Sequence, residues 1–408
     1  MTRHFKSIFL LINNLMIIRK SKCIIRIPMK SIYTFLFFLF FSFPILCDSY
    51  FISSSIGSDS NNGKYPNAFK KGFGPFASFK KFSEESFFKP GDKIFLKCGD
   101  KWKNLSDIRF RFSGEKENPI LISSYGEGAK PEIYFSSEVA AFHIHNYSKL
   151  IEFITIENIS LVGNKNGWGV FISDDKNGGK TKNIKLNNLQ ISNFKIGIHT
   201  QSTSDLQIEN SEIYNMEEMG ILGGVRESGL IIKNNMIHSN GFNCPRIANI
   251  YCHNVYLSFG ENILIENNKI YDGSNFGIII HGNVRNLLIN QNELFKNNNA
   301  IGVDPGYPER AEGFYDIIIS NNRIHNHKGT WILSFQSIHN LLFSNNIIYD
   351  EPNFSIIIRK KKPDDAPLFN AVFKNNIFIG NFKNFFSFDN KEDENSIIME
   401  NNKLEISE

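Results

Sequence analysis

Ser258, His281 and Asp304 occupy one position in three consecutive copies of a short repeat. Tyr256 lies two residues before Ser258, and Arg359 takes the same position two copies after Asp304. A hydroxyl, an imidazole and a carboxylate in such a row can handle protons. Imidazole titrates closest to neutrality, and an adjacent carboxylate favours its charged form. To remove a proton beside a uronate carboxylate, Arg359 or Arg310 would neutralise the anion, His281 would act as base and Tyr256 would protonate the leaving oxygen. For glycoside hydrolysis two carboxylates must flank the bond, and Asp304 with Glu309 or Glu312 is the available pair. A Ser-His-Asp triad matches in composition only, because side chains spaced one per repeat should run parallel instead of converging. The plain alternative is a set of solvated residues on an exposed sheet.

The row follows from aligning nine segments: GVFIS at Gly169, GIHTQ at Gly197, GILGG at Gly220, NVYLS at Asn254, GIIIH at Gly277, AIGVD at Ala300, WILSF at Trp331, SIIIR at Ser355 and FFSFD at Phe385. Positions two and four are mostly apolar and should face inward, so three and five face out. Position five reads Ser173, Gln201, Gly224, Ser258, His281, Asp304, Phe335, Arg359, Asp389. Position three reads Phe171, His199, Leu222, Tyr256, Ile279, Gly302, Leu333, Ile357, Ser387. Gly302 is expected to leave space for a sugar ring, and Tyr256 to offer a stacking surface. Long loops at residues 240–253 and 305–315 would wall the row and bring Arg246, Glu309, Arg310 and Glu312 to its edge as substrate-binding groups, with Ser258 beside them.

The repeat that holds these segments is clearest at residues 263–282, ILIENNKIYDGSNFGIIIHG. Its copies return at steps of 22 to 33 residues, a period that marks a solenoid. Runs of four or five alternating apolar residues demand strands, and none is long enough for an amphipathic helix. One column reads Asn158, Asn188, Asn210, Asn234, Asn267, Gln291, Asn321, Asn345, Asn375, Asn401; the next becomes Asn235, Asn268, Asn292, Asn322, Asn346, Asn376, Asn402. Asn tolerates the left-handed backbone of a sharp bend, and a stacked column of amides can satisfy itself. Spacing does not say which column turns inward. The predicted fold is all-β, a right-handed parallel β-helix of about ten or more coils, with neighbouring coils about 4.8 Å apart.

The 408 residues, 41% hydrophobic and 13% aromatic with 39 Phe, suffice for one elongated body. Residues 1–49 read as a targeting segment, because an apolar run at residues 31–47 follows basic residues. Met29 would serve as an alternative start. An uncleaved membrane anchor and a lipid-modified Cys47 are the competing readings, and through this segment alone would the protein meet a membrane. Residues 1–47 carry seven basic residues and no acid, so the 45 basic residues fall to 38 against 41 acidic beyond Cys47. The pI near 8.6 thus belongs to the leader, and no basic patch argues for nucleic acid. Cys244 and Cys252 are candidates for a disulfide, with free thiols as the alternative. No metal motif is present and no cofactor is required, although carboxylate pairs such as Asp174-Asp175 and Asp364-Asp365 are compatible with Ca2+.

Residues 50–135 are expected to form an N-terminal cap with first strands and a short helix at residues 77–87, and residues 136–408 the β-helix repeats. The runs GSDSNNGKYPNAF, PGDKIFLKCGDKW and GEKENPILISSYGEGAKPEI, followed by the repeats, resemble secreted bacterial right-handed β-helix proteins of the pectin-lyase-like superfamily. That resemblance covers about residues 50–404. It implies export, a monomer, and a polysaccharide as substrate or ligand, since many such proteins are lyases or hydrolases and others are surface proteins. The Lys-Ser-Ser motif of the alginate-lyase branch is missing from this chain. The two functions to separate are an enzyme acting on polysaccharide and a non-catalytic adhesive surface protein.

Overall fold

The computed structural model describes residues 47–84, 87–136, 138–145, 150–174, 181–242, 244, 252–305, 313–329, 332–351, 355–359, 368–380, 386–388 and 397–405. Residues 1–46, most of the segment 1–49 expected to be a targeting segment, lie outside them.

All ten residues of the first Asn column, Gln291 included, sit in the left-handed region, with φ between 50 and 60°. This turns the chain sharply, and it sends the following residue inward. Asn235, Asn268, Asn292, Asn322, Asn346 and Asn376 are therefore buried. Each donates both its backbone N–H and its Nδ2 to Oδ1 of the Asn one coil on: Asn235 to Asn268 at 2.9 and 3.0 Å, Asn268 to Asn292 at 2.9 and 2.9 Å. The second amide hydrogen goes to a strand carbonyl, as from Asn268 to Ile232 at 2.9 Å. Every donor and acceptor of the inward amide is thus used, the condition for burying it without penalty.

Each coil carries a first strand, a bend, a second strand, the Asn bend and a third strand. Neighbouring coils pair in parallel throughout. Among the described residues, first and second strands join in a 23-stranded sheet and third strands in a 12-stranded sheet. In the central coils the first two strands are continuous, Val255–Glu266 and Phe276–Asn290, creased at Phe259 and Gly282 (φ 55 and 71°). Inward columns such as Ile213, Ile237, Ile270, Leu294 and Ile324 are fully buried in register, each side chain contributing about 1.5–3 kcal/mol. On the outer face of the third strands, Tyr214, His238, Tyr271, Phe295, His325 and Tyr349 stack ring on ring at 4.6 to 5.3 Å. Because their faces meet each other, this stack braces coil against coil.

Two expectations change. The helix at residues 77–87 is a single 3-10 turn, Lys80–Ser83, among the described residues. Phe82 is the buried residue of that turn, and Phe79 at its N-cap meets it edge-on at 5.5 Å, so both rings enter the core together. Segment 50–135 contributes solenoid strands itself: Ser49–Ile52, Lys93–Lys97 and Ile120–Tyr125 pair in parallel, as do Lys101–Leu105 and Glu132–Phe135. Finally, Leu333 pairs with Ile301 and Phe335 with Val303, so the WILSF copy is set one residue too early. Leu333 and Phe335 are core residues, and the outward positions belong to Ser334 and Gln336.

Glu227 is a carboxylate inside this core. Thr200 Oγ1 and Thr203 N donate to it at 2.9 and 3.0 Å, and Thr203 Oγ1 donates as well. Burial nonetheless pushes its carboxyl above the ordinary range, outweighing those bonds. A folded value above the unfolded one means stability that is complete below about 4.5 and lost as pH rises through the folded value. Relative to the wild type, the urea midpoint of Glu227→Gln should rise as pH is raised from 4 to 9; a difference that stays constant with pH would rule this out. The ladder makes a second prediction. Asn268→Leu leaves both donors of Asn235 without an acceptor and should cost roughly 2 kcal/mol or more. Asn267→Gly, at a left-handed position that Gly adopts freely, should melt close to the wild type. Equal losses in the two variants would show that the inward amides do not hold the coils.

Candidate functional site

Parallel pairing builds the site. Tyr256 pairs with Ile279 and Ser258 with His281, and Asp304 follows Val303, which pairs with Ile280. His281 is half-buried and bridges two coils: its Nδ1 lies 3.2 Å from the Tyr256 hydroxyl and its Nε2 3.2 Å from Asp304 Oδ1. With Nδ1 accepting the phenol proton, Nε2–H donates to the carboxylate; a protonated ring donates at both nitrogens. The side chains therefore converge, although one per coil they were expected to run parallel. Tyr256 meets the imidazole edge-on at 5.0 Å. The arrangement is a relay from phenol through imidazole to carboxylate, suited to moving a proton.

His253, buried and not singled out by the sequence, supports Tyr256 from behind. Its ring stacks on the tyrosine at 5.9 Å, and its Nδ1 accepts a hydrogen bond from Phe276 N at 3.3 Å. Cys252, next to it, is bonded to Cys244 across a Cα separation of 6.3 Å, within the range a disulfide allows. That bond closes the loop leading into the site strand. Ser258, nearly buried, lies beside His281 in register. The backbone of Arg359 pairs with Gln336, and its side chain is outside the described residues. Arg246, Glu309, Arg310 and Glu312 also lie outside them, as do Asp175, Asp364 and Asp365, while Asp174 pairs with Arg226 at 2.7 Å. Among the described residues no group of three or more His, Cys, Asp or Glu side chains could hold a metal ion.

The space expected beside Gly302 is filled. A Cβ there would lie 2.3 Å from Ile279 Cδ1 and 3.0 Å from the Phe276 ring, and Ile279, although outward by alternation, is buried. Gly302 thus makes room for two apolar side chains of this protein. Gln336 is the row member that the misplaced register hid; the alternation of Leu333 and Phe335 was the signal that could have found it.

Toward the N-terminal end the same face carries rings. Phe171 pairs with both His143 and His199, at centroid distances of 5.2 and 5.3 Å, and Trp168 lies 4.7 Å from His199. Burial pushes His143 and His199 down to about 4, with the charges of His145 and Arg109 adding to the effect at His143. Both are neutral when folded and bind protons more readily when unfolded, so stability should be lost as pH falls from about 6.5 toward about 4. His199→Phe, which keeps a ring against Trp168 but cannot titrate, should show a smaller loss between pH 7 and 4.5 by urea denaturation. An unchanged loss would remove His199 as a contributor.

Residues 168–332 and 243–364 match the family described as right handed beta helix region, together just under half of the chain. No curated protein matches the sequence. Solved structures match in fold. The GH136 lacto-N-biosidase from Eubacterium ramulus is 16% identical with a TM-score of 0.55, over 88% of this chain and 68% of that one. The Azotobacter vinelandii mannuronan C-5 epimerase AlgE4 A-module is 14% identical with a TM-score of 0.55, over 78% and 89%. The complex of XylC with xylose is 10% identical with a TM-score of 0.55, over 86% of each chain.

Proposed function

We propose that this right-handed parallel β-helix protein acts on polysaccharide, and that the Tyr256–His281–Asp304 relay is its proton-transfer centre. The observation that carries the reading is the single imidazole held at 3.2 Å by a phenol on one side and a carboxylate on the other. Asp304 orients the ring through Nε2, Tyr256 turns from Nδ1 to give its phenol proton to the leaving oxygen, and Nδ1, so freed, takes the proton of the sugar. This is the division of labour of a polysaccharide lyase; a hydrolase would need a second carboxylate opposite Asp304. The carbohydrate names of the three structural neighbours support the substrate class. Export through the N-terminal segment belongs to the same proposal. The Cys244–Cys252 bond supports it, because disulfides persist in oxidising compartments.

The test is a screen of the purified protein on uronate polymers, read by the absorbance of the unsaturated product, and on neutral glycans, read by new reducing ends. On any substrate found, His281→Ala should lose roughly 100-fold or more in kcat, the range ascribed to general acid–base groups, with an unchanged melting temperature. Tyr256→Phe should lose activity with His281 still folded in place. Full activity in His281→Ala would move the site elsewhere, and a wild-type protein that binds glycans without cleaving any would identify a non-catalytic surface protein.

A further inference from the structure

Tyr65, Phe69 and Phe73 gather on the surface, on the segment that follows the strand Ser49–Ile52. Tyr65 is 39% exposed and Phe69 65%, the highest value among the large apolar side chains described. Their rings lie 4.8 to 5.9 Å apart and meet edge-on or tilted. Backbone hydrogen bonds fix this arrangement. Phe73 N donates to Lys70 O at 2.9 Å and Gly72, with φ 83°, completes the turn. Asn62 N and Gly63 N donate to the carbonyls of Gly72 and Gly74, both at 3.0 Å. The rings are thus held out of the core, which Phe76, three residues on, enters fully. A cluster of apolar rings kept in water marks a contact surface.

The charge around this patch is of one sign: residues 60–83 hold five lysines and no acid. Lys64, Lys80 and Lys81 pair with Asp48, Asp59 and Glu84 at 2.7, 3.2 and 2.9 Å. Lys70 and Lys71, exposed at the turn between Phe69 and Phe73, meet no carboxylate among the described residues. Lys70 instead lies over the Phe73 ring, its Nζ 5.4 Å from the centroid. The Lys64–Asp48 pair also ties the patch to the point where the apolar run at residues 31–47 joins the body. We propose that this patch docks on an anionic lipid bilayer, with Tyr65, Phe69 and Phe73 entering the headgroup boundary and Lys70 and Lys71 reaching the phosphates. Lysine stems lie along apolar surface while their ammonium groups stay in the polar layer, and each adds attraction to an anionic leaflet. A stacking platform for sugars is the competing use; unpaired cations beside phenyl rings that carry no polar atom favour lipid. The docking is a membrane contact beyond the N-terminal segment, and it stands apart from the His281 relay.

The experiment mixes the full-length protein with vesicles carrying brominated acyl chains, made of phosphatidylcholine alone or of equal parts phosphatidylcholine and phosphatidylglycerol. Phe69→Trp places a fluorescent reporter in the patch, and the wild type, with Trp102, Trp168 and Trp331, supplies the background. The added emission should be mostly quenched in the anionic vesicles, because quenching at position 69 requires the ring to enter the bilayer and not only a tethered chain. Most of that quenching should be lost in the neutral vesicles, and when Lys70→Gln and Lys71→Gln are added to Phe69→Trp; raised salt should weaken it. Ile318→Trp, at an exposed position on the 23-stranded sheet, should stay unquenched. All variants should melt with the wild type, and if Phe69→Trp does not, Tyr65→Trp takes its place as reporter. A reporter left unquenched in anionic vesicles overturns the inference. So does quenching that Ile318→Trp shares, or that survives the loss of both lysines. A reporter that ignores lipid but shifts its emission on adding xylose or mannuronate oligosaccharides identifies a sugar platform, and the inference fails in that case too.

Discussion

Parallel pairing from coil to coil is the constraint on which the structure depends. Each strand hydrogen-bonds to its counterpart above and below, so any residue is fixed relative to its equivalents at the spacing of neighbouring strands. The inward amide column enforces the same register at the bend, where strand pairing is interrupted. There each Asn accepts two bonds from one coil and returns two to the next coil and a strand carbonyl. Coils cannot slip by one residue without orphaning these groups and turning apolar columns outward.

The candidate site is a consequence of that register. Side chains on the outer face of the first strands form straight rows, and two members touch when their length spans one coil. His281 is long enough to reach both Tyr256 and Asp304. The two faces of the solenoid differ in what their rings do. On the third strands six rings lie face to face and brace the stack. On the first strands the rings meet edge-on or tilted around half-buried imidazoles, whose nitrogens burial keeps neutral. The bracing rings and the candidate site therefore lie on separate sheets of one repeat.

The polar groups inside and beside the core fall into two kinds. The Asn column and the Thr200–Thr203 cradle of Glu227 are satisfied locally, the latter with a carboxyl that burial still drives toward its neutral form. Gln336 is the contrasting kind, buried beside titratable groups with a donor unmatched.

The sequence by itself determined the solenoid, because period-2 apolar runs and a repeated Asn bend admit no other way to bury one face of each strand. It also placed Ser258, His281 and Asp304 in one row, since Ile278 and Ile280 had to share the inside. What it could not determine depends on contacts between residues far apart in the chain. Which Asn faces inward follows from the left-handed φ of the first, a backbone state that both members of an Asn pair can adopt. The register of the Gln336 coil was hidden because Ile332, Leu333 and Phe335 are all apolar, so alternation was readable in two phases until Ile301 and Val303 chose one. The 3-10 turn replaced a helix where Phe82 packs on Phe110 and Phe112, a core that other segments supply. The convergence of Tyr256, His281 and Asp304 was decided by tertiary structure alone, because spacing sets where a side chain starts and packing sets where it ends.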